Sequence, residues 1–116
     1  MNIDVDKLDV VNNTEKSRFE LQVGGDIAVI EYQMAGTEII FTHTEVPTAF
    51  EGMGIANKMA KVALNFARDS GYRIQPACPF IATYIKRHKE YQPITEGYSS
   101  SPRSGDEGAV TAVRFP

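Results

Sequence analysis

The first half of the chain spaces its apolar residues as strands do, and the second half spaces them as helices do. Strands are predicted around Val10 and Val11, over Arg18–Val23, and over residues 27–34 and 38–46. Tight turns at residues 24–26 and 35–37, each containing glycine, join the last three as an antiparallel meander. Pro47 ends the fourth strand because proline cannot donate to a sheet ladder. A loop over residues 48–53 then leads into the strongest helical pattern, residues 54–70. Ile55, Met59, Val62, Leu64 and Phe66 form its apolar face, widened by Ala56, Ala60, Ala63 and Ala67. Asn57, Lys58, Lys61, Asn65 and Arg68 form its wet face, and Gly71 stands where a C′ residue belongs. A short strand over residues 72–76 and a helix over Pro79–Arg87, with proline at its first position, complete the pattern. Strands first, then helix, strand and helix: the expected class is α+β.

With 116 residues there is room for one domain and one hydrophobic core. Residues 1–96 are expected to form it. Residues 97–116 are rich in Ser, Gly and Pro at first and are expected to be a flexible tail, with residues 110–115 able to add an edge strand. The net charge of −3 comes with no basic stripe and no aromatic–basic platform, which argues against a nucleic-acid partner. No leader pattern and no membrane-length apolar run are present, so the expected location is cytoplasmic, without a membrane partner. Cys78 is the only cysteine, which excludes an internal disulfide and a multi-cysteine metal site.

The segment Gly52-Met-Gly-Ile-Ala56 lies between a strand and a helix. Two glycines there let the backbone turn sharply and point several N–H groups outward, ahead of a helix N-terminus. That is an anion site suited to a pyrophosphate. A Rossmann fingerprint would need a glycine where Asn57 stands and a second βαβ half. A Walker loop would need Gly-Lys-Ser/Thr, which is absent. A helix start merely eased by glycine, with no ligand, is the remaining reading.

Three segments in order narrow the choice: His43-Thr-Glu-Val46, then Glu51-Gly-Met-Gly-Ile-Ala56, then Pro76-Ala-Cys78. Together they resemble the acetyl-coenzyme A-binding core of the GNAT superfamily, and specifically its small single-domain members with an active-site cysteine. The resemblance runs from about Val10 to Glu96. It implies a GNAT-like mixed sheet whose parallel pair, the strands before the glycine loop and before Cys78, splays apart. The pantetheine arm of acetyl-CoA would then bridge the gap, with the thioester between Val46 and Cys78. The implied activity is acetyl transfer to a primary amine of unknown identity, on a protein lysine, a polyamine or a small molecule. The rival reading is a non-catalytic acyl-CoA sensor or scaffold. Glu51 departs from the Arg or Gln that the family usually carries at the head of the loop. A carboxylate there is expected to weaken pyrophosphate binding.

Under this resemblance Gly52, Met53, Gly54, Ile55 and Ala56 hold the pyrophosphate, and Cys78 is the candidate for chemistry. Cys78 precedes Pro79 at the expected N-cap of the second helix, where the helix's partial positive charge favours a thiolate. It either accepts the acetyl group and passes it on, or positions the thioester for direct attack by the amine. A buried structural cysteine is the alternative. His43 and Glu45 are expected on one strand face with Ile39 and Phe41, as candidate bases for the ammonium, or as ordinary sheet positions. Tyr84 occurs where the family often has a tyrosine that protonates the leaving thiolate. It follows Cys78 by six residues, about 240° around an ideal helix, so the two do not share a face and Tyr84 is expected to pack on Phe80. Tyr91 is a weaker alternative. Arg87 and Lys89, in the basic run that ends the helix, are candidates for a coenzyme A phosphate. The short chain lacks the helices that often wall the acceptor site, so a monomer with an open site and a homodimer both remain possible.

Overall fold

A computed structural model describes residues 5–98. The expected tail beyond residue 98, and the edge strand expected at residues 110–115, lie outside the described residues.

Five strands form one sheet in the order β1-β2-β3-β4-β5: β1 Val10–Asn13, β2 Arg18–Val23, β3 Asp26–Ala35, β4 Glu38–Glu45 and β5 Arg73–Pro76. The first four are antiparallel neighbours joined by short turns, because no connection between them is long enough for a crossover. β4 and β5 are parallel, and helix α1 (Ile55–Asp69) is the crossover between them. Helix α2 (Pro79–Arg87) follows β5. The α+β mixed sheet expected from the sequence is the sheet observed.

One face of the sheet carries the core. Phe19 and Leu21 of β2, Ala28 and Ile30 of β3, Ile39 and Phe41 of β4 and Ile74 of β5 are all buried there against α1 and α2. The rings of Phe19 and Phe66 meet edge-on at 5.7 Å, so Phe66 ties α1 to β2. α1 ends in a Schellman motif. Gly71 N–H bonds the Arg68 carbonyl at 3.1 Å and Tyr72 N–H bonds the Ala67 carbonyl at 2.9 Å.

The helix face differs from its expected composition at one point. Val62 is exposed, and the contact with the sheet is made by Ile55, Met59 and Leu64 with fully buried Ala60, Ala63 and Ala67. Counting from Met59 and Ala63, a position at 62 falls off the stripe, and the small alanines let the helix approach the strands closely. A 3-10 segment, Lys89–Ile94, is a further element that the periodicity gave no sign of. It buries Tyr91, and Thr95 after it bridges to Ile74 on the free edge of β5. Among the described residues, no helix is long and apolar enough to cross a membrane.

The alanine stripe makes a checkable demand. Ala63→Leu forces extra volume between α1 and the sheet and should cost about 1–3 kcal/mol. For a domain of this size that lowers the melting temperature by roughly 4–8 °C per kcal/mol. Val62→Ala should stay within about 0.5 kcal/mol of the parent, as exposed positions do. Equal losses in the two variants would mean the buried stripe is misplaced.

Candidate functional site

The connection from β4 to α1 is a tight loop. Pro47 starts a 3-10 turn, Thr48–Phe50, in which Phe50 N–H bonds the Pro47 carbonyl at 2.9 Å and Phe50 itself is buried. Beyond it Gly52 and Gly54 have φ of +85° and +81°, the left-handed region that side chains disfavour. Gly54 is the N-cap of α1 and brings no side chain to cap the helix. The N–H groups of the first turn therefore have no intrahelical acceptor. Gly52, Gly54, Ile55, Ala56 and Asn57 border a cleft of about 500 Å³, walled on its other sides by Thr44, Val46, Phe50 and Phe80. Glu51 lines the same cleft, while Met53 does not.

The register of β3 with β4 decides which side chains of β4 reach this cleft. Glu31 pairs with His43, and the next residue, Tyr32, pairs with Phe41. Thr42 is thus one residue too many on β4, a bulge that reverses the faces of everything after it. His43 and Glu45 consequently do not share a face with Ile39 and Phe41, contrary to the expectation from a period of two. They stand opposite Glu31 and Val29 on the outer face of the sheet. Their side chains are 54% and 72% exposed, and His43 Nε2 lies 3.4 Å from Glu45 Oε1. Thr44 takes the inward place instead.

β4 and β5 pair from Glu38 with Arg73 to Phe41 with Pro76, and the pairing stops where the bulge begins. Cys78 N–H closes the fork by bonding the Phe41 carbonyl at 2.8 Å. Cys78 is the N-cap of α2, and its carbonyl accepts the Ala82 N–H at 3.0 Å. The residue is only 3% exposed, and its thiol sits 3.2 Å from the Thr44 hydroxyl. Thr44 therefore borders the glycine cleft and touches the one thiol of the chain. The sequence carried no sign of this, because nothing in the residue types around Thr42 marks a bulge.

Tyr84 is buried and lies with Phe80, centroids 6.4 Å apart, as expected; its ring also stacks flat on His88 at 3.8 Å. Burial holds the Tyr84 phenol above the ordinary tyrosine pKa, with Tyr91 and Glu90 adding to the effect. It stays a proton donor at neutral pH. Tyr91 also has its pKa raised, first by burial, and donates its hydroxyl to Asn65 at 2.6 Å. Tyr84 and Met53 border a second cleft on the α1 side of the loop. Arg87 and Lys89 are exposed and line neither cleft. Among the described residues, no three His, Cys, Asp or Glu side chains gather as metal ligands.

The Thr44–Cys78 contact predicts a measurable effect. Replacing Thr44 with Val should slow alkylation of Cys78 by iodoacetamide about three- to tenfold, the loss of one hydrogen bond worth about 1 kcal/mol. Thr44→Ser should restore the rate. A Val variant as fast as the parent would mean that the hydroxyl does not act on the sulfur.

Residues 18–94 match the family described as GCN5-related N-acetyl-transferase. Curated relatives include the human protein named Protein NATD1, 34% identical over 82 residues that make up 68% of this chain and 73% of the human one. The Danio rerio protein of the same name is 30% identical over 90 residues, 73% of this chain and 82% of that protein. Among solved structures, the NMR structure of a GCN5-like chain from Staphylococcus aureus superposes with a TM-score of 0.59 at 20% identity. It covers 84% of this chain and 97% of its own, a likeness of fold. With the glycine loop, the forked parallel pair and the family match over most of its length, the chain belongs to the GCN5-related N-acetyltransferase family.

Proposed function

We propose that the chain is an N-acetyltransferase that binds acetyl-CoA in the glycine cleft and transfers the acetyl group to a primary amine. The observation that carries this reading is the cleft itself. Residues of the uncapped first turn of α1 border it together with Thr44, whose hydroxyl touches Cys78 behind the lining, at the fork of β4 and β5. The backbone of Gly52, Met53, Gly54, Ile55 and Ala56 would bind the pyrophosphate, as helix N-termini bind anions. Val46 would lie beside the pantetheine arm and thioester.

Cys78 is the residue assigned to chemistry. In the covalent route its thiolate attacks the thioester carbonyl, a new C–S bond forms, and coenzyme A leaves as a thiolate. The amine then attacks the acetyl-cysteine, and the sulfur of Cys78 leaves. In the direct route the amine attacks acetyl-CoA itself, and Cys78 with Thr44 only positions the thioester. His43 and Glu45 retain the proposed role of taking the proton from the ammonium. Their place on the outer face means they would meet an acceptor that arrives through the fork from that side, opposite the cofactor.

A second reading, an acyl-CoA-binding module without turnover, is favoured by the burial of Cys78 and by Glu51 on the cleft wall. Mass spectrometry of the protein mixed with acetyl-CoA, followed by an amine panel, separates the two. An acetyl group on Cys78 that is lost when amine is added supports the covalent route. Acetylated amine without a protein adduct supports direct transfer. Binding with neither product leaves the module.

Glu51 gives a sharper quantitative test. Glu51→Gln removes a carboxylate from the cleft while keeping its size, and should tighten acetyl-CoA binding about three- to tenfold by calorimetry, as expected for relief of one partly screened like-charge contact. An unchanged or weaker affinity would show that the pyrophosphate does not sit beside Glu51.

A further inference from the structure

Cys78 is buried and does not itself border the glycine cleft. In the covalent route its sulfur bonds the acyl carbon as the bond from that carbon to the sulfur of coenzyme A breaks. In the direct route the sulfur lies beside the same carbon. Both routes require the acyl chain to fit next to one buried sulfur, and the side chains around that space decide how long the chain can be.

Those side chains can be named. The Thr44 hydroxyl is 3.2 Å from the sulfur, and Val46, two residues further along, borders the cleft with it. Phe80 stands two residues after Cys78 in the first turn of α2 and is that helix's contribution to the cleft wall. Phe50 and Ile55, 8% and 1% exposed, are further apolar residues of the wall and are packed in place. Phe80 is half-buried, and behind it stands a column of rings at helical spacing, Phe80, Tyr84 and His88. The Phe80 and Tyr84 centroids are 6.4 Å apart, and the His88 ring lies flat on Tyr84 at 3.8 Å. His88 Nδ1–H donates to the Tyr84 carbonyl at 2.8 Å, which fixes the last ring of the column. A ring backed in this way does not withdraw along α2 to make room for a larger acyl group. An apolar pocket of fixed size discriminates by about 10- to 200-fold per methylene.

We propose that Phe80 sets the acyl length the protein accepts: an acetyl group fits between Thr44, Val46 and the Phe80 ring, and a butyryl chain meets the ring. The proposal rests on the glycine cleft being the acyl-CoA site and names the acyl class that site takes. Tyr84 and His88 act through Phe80, as the support that holds its ring.

Calorimetry with coenzyme A, S-ethyl-coenzyme A and S-butyl-coenzyme A tests it. The two thioethers match acetyl and butyryl in length and cannot be transferred, so binding is read without turnover. The parent should bind the ethyl form at least about tenfold more tightly than the butyl form. Phe80→Ala should bring that ratio below about threefold, chiefly by tightening the butyl form, because the lost ring leaves room for several methylenes. Its affinity for coenzyme A itself, which carries no acyl chain, should change by less than about twofold. Phe80→Val keeps part of the wall and should give an intermediate ratio, so the assignment does not hang on the folding of one variant. Equal parent affinities for the two thioethers, or Phe80 variants that keep the parent's ratio, would overturn the assignment and leave the cofactor site standing. A parent that binds none of the three ligands would remove both.

Discussion

One surplus residue in β4 sets the geometry on which the site depends. Strand side chains alternate faces, so the extra Thr42 exchanges inside and outside for all that follows it. Before the bulge Ile39 and Phe41 pack beneath the helices, and after it Thr44 turns inward while His43 and Glu45 turn out. At the same point β5 stops pairing with β4, and the Cys78 amide is tied to the last paired carbonyl, that of Phe41. The fork, the buried thiol and the threonine beside it are thus consequences of a single irregularity. Strand bulges next to active sites commonly re-aim a side chain in this way.

The rest of the fold holds that irregularity still. Ile39, Phe41 and Ile74, fully buried on both sides of the fork, fix the two strands up to the point where they part. Ala60, Ala63 and Ala67 are fully buried where α1 packs on the sheet, and the start of the helix shares a cleft with Thr44 and Val46 at the end of β4. Gly52 and Gly54 then absorb the left-handed turns that such a short connection requires. The segment after α2 is used as a brace. Thr95 bridges to β5 and hydrogen-bonds the Tyr91 carbonyl at 2.6 Å, and Tyr91 bonds Asn65 of α1. The glycine loop is in this way mounted on a braced frame.

Much of the frame was legible in the residues. Pro47, Gly71 and Pro79 mark boundaries because each has a fixed backbone consequence, and the elements they bound lie within a residue or two of expectation. The glycine loop was legible for the same reason. The bulge was not, since a threonine in an alternating strand looks like any other strand residue, and the expected face of His43 and Glu45 went with it. The brace over residues 89–96 was hidden because its buried members, Tyr91 and Thr95, are carried among polar neighbours with no regular period. The second cleft brings together Tyr84 of α2 and lysines of α1 that only tertiary packing makes neighbours. Arg87 and Lys89 were attractive as a basic run, but Arg87 closes α2 and Lys89 opens the 3-10 segment after it, both exposed and neither bordering a cleft.

The proposed function turns on whether the uncapped amides at the start of α1 receive the pyrophosphate of acetyl-CoA. A titration of the ¹⁵N-labelled protein with acetyl-CoA, followed by amide chemical shifts, addresses it most directly. Gly52, Gly54, Ile55, Ala56 and Asn57 should shift most, accompanied by Thr44 and Cys78 at the fork, while β1 and β2 stay in place. Shifts concentrated elsewhere on the sheet, or none at saturating ligand, would contradict it.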